Sequence, residues 1–221
     1  MRKYTSLPYT EFPVANGRFD TSRKKIEYIV LHTMVGTMQS TRNLFGNKPA
    51  LGKETSAHYG VSVEGKYDAY LEEYYTAYHC GNYDINQRSI GIEHEDLGKP
   101  FEPRPDALYL ASSRLVRDIC THYGIPIDRE HIIDHNKVTG AKTACPGSLL
   151  TNRIIEMAQQ LNQPTPLPPS VDEKDKKIKE LEETVTKLQK EKEQVVANSE
   201  IECQKRMGEL KQKIISFAQT L

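Results

Sequence analysis

Three side chains that could bind zinc lie in two widely separated parts of the chain. His32 ends the apolar segment YIVLHT, His135 follows the short segment HIID, and Cys145 comes ten residues later in HNKVTGAKTACPG. Two imidazoles and one thiolate with a fourth position left open are a ligand set of catalytic zinc. Taken alone the pattern is weak, because a cysteine or histidine is more often an ordinary buried residue. The three residues are nevertheless a candidate metal site.

A second interpretation uses the same cysteine as a nucleophile. A thiol hydrolase would pair Cys145 with His135 as its base, and Cys145 precedes a predicted helix, where a thiolate can be stabilised. Pro146 removes the first backbone N–H that would be available there. This interpretation also leaves two polar residues without a role, His32 and the acidic residue Glu93 of the segment RSIGIEHED. A cysteine hydrolase is therefore the alternative to the metal site.

The composition bounds the class of protein. The chain has 221 residues, enough for one domain with an appendage. Thirty basic and thirty acidic residues give a formal net charge of zero, so the basic surface of a nucleic-acid-binding protein is not expected. No apolar run approaches the ~20 residues of a membrane-spanning helix, and the first residues lack the apolar core of a signal peptide. We expect synthesis in a cytoplasm, no membrane span and, since the four cysteines show no CxxC spacing, free thiols.

Strand and helix patterns alternate over the part of the chain that carries these residues. The patterns cover residues 25–33, 56–71, 88–96, 105–124, 130–135 and 148–161. The second of them alternates apolar and polar residues around a hairpin turn at Glu64 and Gly65, and the helical spacing of the fourth stops at Gly124. Strands that alternate with helices predict an α/β domain with a single mixed β-sheet flanked by helices. His32 and His135 each end a strand, where ligand-binding clefts form.

The composition changes after residue 161. Residues 162–172 are rich in proline, which predicts an extended linker. Residues 173–221 have apolar residues at heptad spacing in two frames, offset by one residue at Val195 and Val196. This pattern predicts a long helix and favours a coiled coil or helical hairpin over a single solvated helix. We expect the tail to mediate homo-oligomerisation or another interaction.

Five segments in order resemble a known family. The segments YIVLHTMVGT, SAHYGVSVEGK, AYHCGN, RSIGIEHED and HIIDHNKVTGAKTACPG are similar to those of the zinc-dependent N-acetylmuramoyl-L-alanine amidases of the amidase-2 type. That family includes phage endolysins and peptidoglycan recognition proteins. The resemblance covers residues 24–161, within a catalytic domain of residues 1–161. It implies the mixed sheet of that family and hydrolysis of the amide bond between N-acetylmuramic acid and L-alanine in bacterial peptidoglycan.

The resemblance also implies roles for single residues. The zinc ligands of the family fall on His32, His135 and Cys145, which implies one zinc ion in the domain. Glu93, in the segment IGIE, matches an acid that many members use beside the metal. The family often has Lys or Thr two residues before the last ligand.

The position two residues before Cys145 does not by itself identify the residue that contacts the substrate. Thr143 stands there and Lys142 lies one residue further back. Either side chain could donate to the oxyanion of an amide, and the resemblance leaves the choice between them open.

Substrate contacts are implied less directly. His79, in AYHCGN, matches a cleft histidine and is assigned to substrate binding, and we assign His58 and Tyr59 to the same role. Some members place a catalytic tyrosine before the histidine of the HY segment, but this chain has Ala57 there. Glu93 would then carry more of the proton transfer, or Tyr59 or another tyrosine would substitute.

The expected function is that of a phage or prophage endolysin that lyses bacteria. Without a signal peptide, such an enzyme would reach the cell wall after holin-type release. A non-catalytic peptidoglycan-binding module is an alternative, although relatives of that kind lack the cysteine ligand that Cys145 matches.

Overall fold

The structure is a computed structural model, and it describes residues 3–161 together with parts of the tail. The described tail residues are 186–187, 189–190, 192, 198–199, 202–211, 213–214 and 216. The chain divides into two compact units, residues 1–164 and 165–221. The first unit contains all the candidate site residues.

The first unit is built on a mixed six-stranded sheet, which confirms the predicted fold class. Its strands are β1 (Thr10–Glu11), β3 (Tyr28–Thr33), β4 (Tyr59–Val61), β5 (Tyr67–Ala69), β7 (Ser89–His94) and β8 (Ile132–Asp134), while β2 (Phe19–Asp20) and β6 (Thr76–Ala77) form a separate antiparallel pair. The order across the large sheet is β1-β5-β4-β7-β3-β8. Only β4 and β5 pair antiparallel in it, through the predicted hairpin, and the other neighbours are parallel.

One face of the sheet forms the main hydrophobic core. Because successive residues of a strand point to opposite faces, Ile29 and Leu31 of β3 lie on one face together with Ile90 and Ile92 of β7. The helices α3 (Asp106–Tyr123) and α4 (Thr151–Gln160) pack against each other and cover this face. Helix α3 ends where the sequence predicts, because Gly124 adopts the left-handed conformation with φ 67°.

The opposite face carries the polar residues of the same strands. Val30 packs there in a small cluster with Cys80 and Val138, and His32 follows two residues after Val30. In the parallel register His32 lies beside Glu93, and Glu93 lies beside Gly60. The alternation of β3 and β7 therefore separates an apolar core face from a face that carries chemistry.

Two helices were not predicted from the sequence. Helix α1 (Met38–Gly46) begins with a capping box between Thr37 and Ser40 and buries only three of its residues. Helix α2 (Tyr83–Arg88) is six residues long and is capped by the side chain of Asn82. Both are short and mostly polar, so their apolar periodicity is weak. A one-turn 3-10 helix (His135–Lys137) follows β8.

The predictions for the tail are tested only in part. Residues 202–211 are helical and exposed. The linker at 162–172 and the heptad break at Val195 and Val196 lie outside the described residues, so the coiled coil stays a prediction. None of the described helices combines the length and apolar composition that crossing a membrane would require.

Candidate metal centre

The structure brings His32 together with the two candidate ligands that lie more than a hundred residues later in the chain. His32 stands near the end of β3, His135 opens the 3-10 turn after β8, and Cys145 lies in the loop that follows. The Nδ1 atoms of the two histidines are 3.1 Å apart, and Cys145 Sγ is 3.7 Å from His32 Nδ1. The ligand atoms of all three residues lie within 4.8 Å of one another. Such a grouping can hold one metal ion.

Each of these ligands is oriented by a hydrogen bond from another part of the chain. His32 Nε2 lies 3.0 Å from His79 Nδ1. The ring of His135 is hydrogen-bonded to the backbone of Cys80. The backbone N–H of Thr33 donates to Cys145 Sγ at 3.2 Å. Outer partners of this kind fix the orientation of metal ligands. The two histidine partners are neighbours in sequence, in the loop before α2.

Burial keeps the imidazoles of this region uncharged. It lowers the pKa of His32 and of His79 well below the usual value for histidine, and the neighbouring imidazoles add to the effect. Burial also lowers the pKa of His135. Neutral imidazole is the form that binds metals, so the uncharged rings of His32 and His135 can bind a cation.

The electrostatics around Cys145 disfavour its use as an unassisted nucleophile. Burial, together with the nearby charge of Glu93, raises the pKa of the Cys145 thiol to about 12. A catalytic cysteine normally has a depressed pKa beside a cation or a helix N-terminus. A divalent cation among the three ligands would stabilise the thiolate instead.

Glu93 differs from the two acidic residues that follow it. The carboxylate of Glu95 accepts the backbone N–H groups of Met38 and Val63. That of Asp96 accepts from three backbone N–H groups and from the Thr33 hydroxyl. By contrast, Glu93 Oε2 is buried and lacks a hydrogen-bond partner among the described residues. A buried unpaired carboxylate oxygen is costly, and here it stands beside the candidate ligands.

The environment of Glu93 also perturbs its ionisation. Burial raises the pKa of Glu93 to about 8, and the charge of Asp96 contributes in the same direction. A nearby cation would act in the opposite direction. Perturbed carboxylates in clefts are candidates for acid–base chemistry.

The two candidate oxyanion donors lie in the loop before Cys145. Thr143 and Lys142 are both exposed. Thr143 Oγ1 accepts the backbone N–H of Cys145 at 3.1 Å. Its own hydroxyl hydrogen is then directed elsewhere, which leaves it suited to donate to a bound ligand.

The three residues assigned to substrate contact are all buried. Tyr59 and His58 are 0% exposed, which leaves no side-chain surface for direct contact with a substrate. The Tyr59 hydroxyl accepts from Thr5 N and donates to Glu73, while His58 bonds the backbone of Gly91 and Tyr75. These partners explain both residues as parts of the internal framework.

His79 is placed differently from these two. It is 7% exposed, and it lines a surface groove beside the metal centre. Other residues of this groove are Leu44, Lys53, Glu54, Tyr78 and Asn86. Both of its ring nitrogens are hydrogen-bonded inside the protein, to His32 and to Ser89. Only the edge of its ring is left to face the groove.

Sequence reasoning missed several residues that support the site. Tyr70 lies on the same face of the sheet as Glu93 and donates its hydroxyl to Asp68 at 3.1 Å; burial raises its pKa, and the charges of Asp68 and Glu93 contribute. Asn86 Oδ1 accepts the backbone N–H groups of His79 and Cys80. Asn86 lies inside the short polar helix α2, where no local sequence pattern signals its role.

Comparison with known proteins shows which family the sequence of this domain matches. The profile of the Amidase_2 family, described as N-acetylmuramoyl-L-alanine amidase, matches residues 22–148. N-acetylmuramoyl-L-alanine amidase A of Achromobacter lyticus is 29% identical over 114 residues, which cover 51% of this chain and 62% of that protein. The chain therefore matches less than two thirds of the length of this relative.

Solved structures share the fold at low sequence identity. AmpD is 19% identical, with a TM-score of 0.58, and the match covers 71% of this chain and 99% of that chain. The PlyG catalytic domain is 21% identical, with a TM-score of 0.56 over 73% of this chain and 99% of that chain. The amidase LysC from Clostridium intestinale is 19% identical, with a TM-score of 0.52 over 71% and 99% of the two chains.

Proposed function

Because the chain belongs to the Amidase_2 family of N-acetylmuramoyl-L-alanine amidases, we propose that it hydrolyses the amide bond between N-acetylmuramic acid and L-alanine in peptidoglycan. The observation that carries this proposal is the meeting of His32, His135 and Cys145 beside Glu93. Glu93 has a buried carboxylate oxygen without a hydrogen-bond partner among the described residues. Hydrolysis of an amide bond requires an electrophile and a proton-transferring group close together. The three candidate ligands can hold a metal ion as the electrophile, and Glu93 beside them can transfer the proton.

The residues present fit a zinc ion. Two neutral imidazoles and one sulfur are a donor set that zinc prefers. The ligand atoms already converge, and each ligand has an outer partner. His32, His135 and Cys145 would hold the ion. When bound, zinc supplies Lewis acidity toward a water and an amide carbonyl.

Glu93 and Thr143 perform the remaining steps of the proposed reaction. Glu93 takes a proton from the attacking water and returns it to the nitrogen of L-alanine as the amide bond breaks. The Thr143 hydroxyl donates to the oxyanion, with Lys142 as the alternative donor. The groove that His79 lines would receive part of the glycan or peptide, since His79 is itself hydrogen-bonded to His32.

The proposed biological role is that of an endolysin acting on the bacterial cell wall. Endolysins and amidases of known structure share the fold, including a mutant endolysin from Bacillus subtilis at a TM-score of 0.53. An endolysin would reach the wall after holin-type release. The tail would set the oligomeric state of the enzyme.

The test is digestion of purified peptidoglycan by the full-length protein, followed by mass spectrometry. We expect new free amino termini on L-alanine, loss of activity with a chelator and recovery with zinc. Glu93→Gln should lower kcat by about 10²- to 10⁴-fold while zinc content is retained. Glu64→Gln, at the exposed hairpin turn, is the matched control and should leave activity unchanged.

Other outcomes would identify the alternatives. Activity that resists chelation and is abolished by alkylation of Cys145 would favour a cysteine hydrolase with His135 as base. Tight binding to a wall that stays uncut would favour a binding module. Either result would refute the zinc amidase.

A further inference from the structure

A chain of hydrogen bonds runs from the start of β7 to the candidate metal centre. The Ser89 hydroxyl lies 2.6 Å from the backbone carbonyl oxygen of Ile85. Ser89 Oγ is 3.1 Å from His79 Nε2, and His79 Nδ1 is 3.0 Å from His32 Nε2. The other ring nitrogen of His32, Nδ1, faces the remaining metal ligands.

The first bond in this chain sets the direction of all the others. A carbonyl oxygen can only accept a hydrogen bond, so the Ser89 hydroxyl must donate its only hydrogen to the carbonyl oxygen of Ile85. Toward His79 the serine oxygen can then only accept, so the proton of the uncharged His79 ring sits on Nε2. His79 Nδ1 is consequently a bare acceptor, and it must receive the Nε2–H of His32. His32 Nδ1 is therefore left with a lone pair directed at the metal centre.

We propose that Ser89 and His79 are positioning residues that select the metal-binding tautomer of His32. The proposal rests on the metal site of the proposed function. It assigns His79 a role different from substrate recognition, because both of its nitrogens serve the chain of hydrogen bonds. Partners of this kind typically change metal affinity by about 10- to 100-fold.

The surrounding structure holds this chain of hydrogen bonds in place. Asn86 Oδ1 accepts the backbone N–H of His79 at 3.2 Å, which fixes the loop that carries the ring. Arg23 donates to the backbone oxygens of Asn86 and Ser89 at 2.7 and 2.8 Å. Gly91 provides the space, because a Cβ there would lie 2.7 Å from His79 Cγ. The ring is therefore held from its backbone, from both nitrogens and from one face.

Two substitutions at His79 separate the proposed role from simple filling of space. His79→Leu keeps an apolar side chain but removes the acceptor for His32. His79→Asn places a carbonyl oxygen near the former Nδ1 position and can restore the acceptor. Ser89→Ala removes the group that directs the His79 proton. Ser112→Ala is the matched control, because it also removes a buried serine–histidine bond, the one to His94, without touching the ring of His32.

The first measurement is the zinc affinity of the full-length protein, by competition with a chromophoric chelator. We expect His79→Leu to weaken zinc binding by about 10- to 100-fold, Ser89→Ala to weaken it as well, and His79→Asn to recover most of the loss. Ser112→Ala should bind as the wild type does. Equal affinity of His79→Leu and wild type, or equal weakening by His79→Leu and His79→Asn, would overturn the proposal.

The second measurement needs no metal, and it keeps the proposal testable where a variant fails to fold. Nitrogen-15 NMR of the metal-free wild-type protein should show His32 and His79 both as neutral Nε2–H tautomers, with both protons protected from exchange. A proton on His32 Nδ1 would refute the proposal. Failure of the wild type to bind zinc, with these tautomers present, would instead count against the proposed metal site and leave the hydrogen-bond chain supported.

Discussion

Replacing Gly91 with alanine should disturb the metal centre without removing any polar group. Gly91 lies in β7, under the ring of His79. An added Cβ would come within 2.7 Å of His79 Cγ and within 3.0 Å of Cδ2 and Nδ1. Carbon atoms pack at about 3.5–4.0 Å, so the ring would have to move by about 1 Å. It cannot move freely, because Ser89 and His32 hold its two nitrogens at 3.1 and 3.0 Å.

The size of the effect follows from this confinement. Overpacking of a close-packed interior typically costs about 1–3 kcal/mol. We therefore expect the free energy of unfolding of Gly91→Ala to fall by about that amount, with a melting temperature lower by about 2–4 °C per kcal/mol. Zinc affinity should fall too, because the displaced ring no longer accepts from His32.

Urea denaturation of the chelator-treated protein measures the first effect, and chelator competition measures the second. Gly46→Ala is the control, because a Cβ at Gly46, in the last turn of α1, meets no described atom within 4 Å. That variant should be neutral or slightly stabilising. If Gly91→Ala matched Gly46→Ala in both measurements, the tight confinement of His79 would be refuted.

Three further predictions concern the oxyanion donor, the response to acid and the tail. Thr143→Val should lower kcat on muropeptides by about 10²-fold, and Lys142→Ala by less than about threefold; the opposite ranking would make the lysine the donor. Burial lowers the pKa of His58 well below its usual value and that of His94 to about 4. Unfolded histidine titrates at about 6.5, so at these two residues the unfolded state binds more protons over this window, and their contribution to the stability of the metal-free protein, complete above it, should be lost as the pH drops toward about 4. Glu93, whose pKa burial raises to about 8, acts in the opposite direction, so the test uses Glu93→Gln, and a urea midpoint of that variant equal at about pH 7.5 and pH 5 would contradict this reasoning. Sedimentation of the full chain should give a larger oligomer than a truncation after residue 163, and identical monomeric masses would exclude oligomerisation through the tail.

Much of the fold could be predicted from local pattern. The strands that end near His32 and His135, the hairpin at Gly65 and the stop of α3 at Gly124 all have strong local signals, in alternation or in turn chemistry. Helices α1 and α2 have no such signal, because each buries few residues and is held mainly by its cap. Their presence depends on contacts with the rest of the domain.

The candidate site divides in a similar way. The order of five segments was enough to select His32, His135 and Cys145 by resemblance, and the structure brings these residues together. The same resemblance assigned Tyr59 and His58 to the substrate, and burial removes them from it. A single strand pattern shows which residues share a face, but not what covers that face.

The sequence by itself therefore determined the types of side chain, the faces of the strands on which they lie and the family to which the chain belongs. The tertiary structure decided which partner each side chain has. Ser89 and His79 lie ten residues apart, and His79 and His32 are separated by 47. Contacts at such separations depend on parallel strand register and loop packing, which no local pattern encodes. The orientation of the His32 ring, and with it the lone pair offered to a metal, follows from that packing.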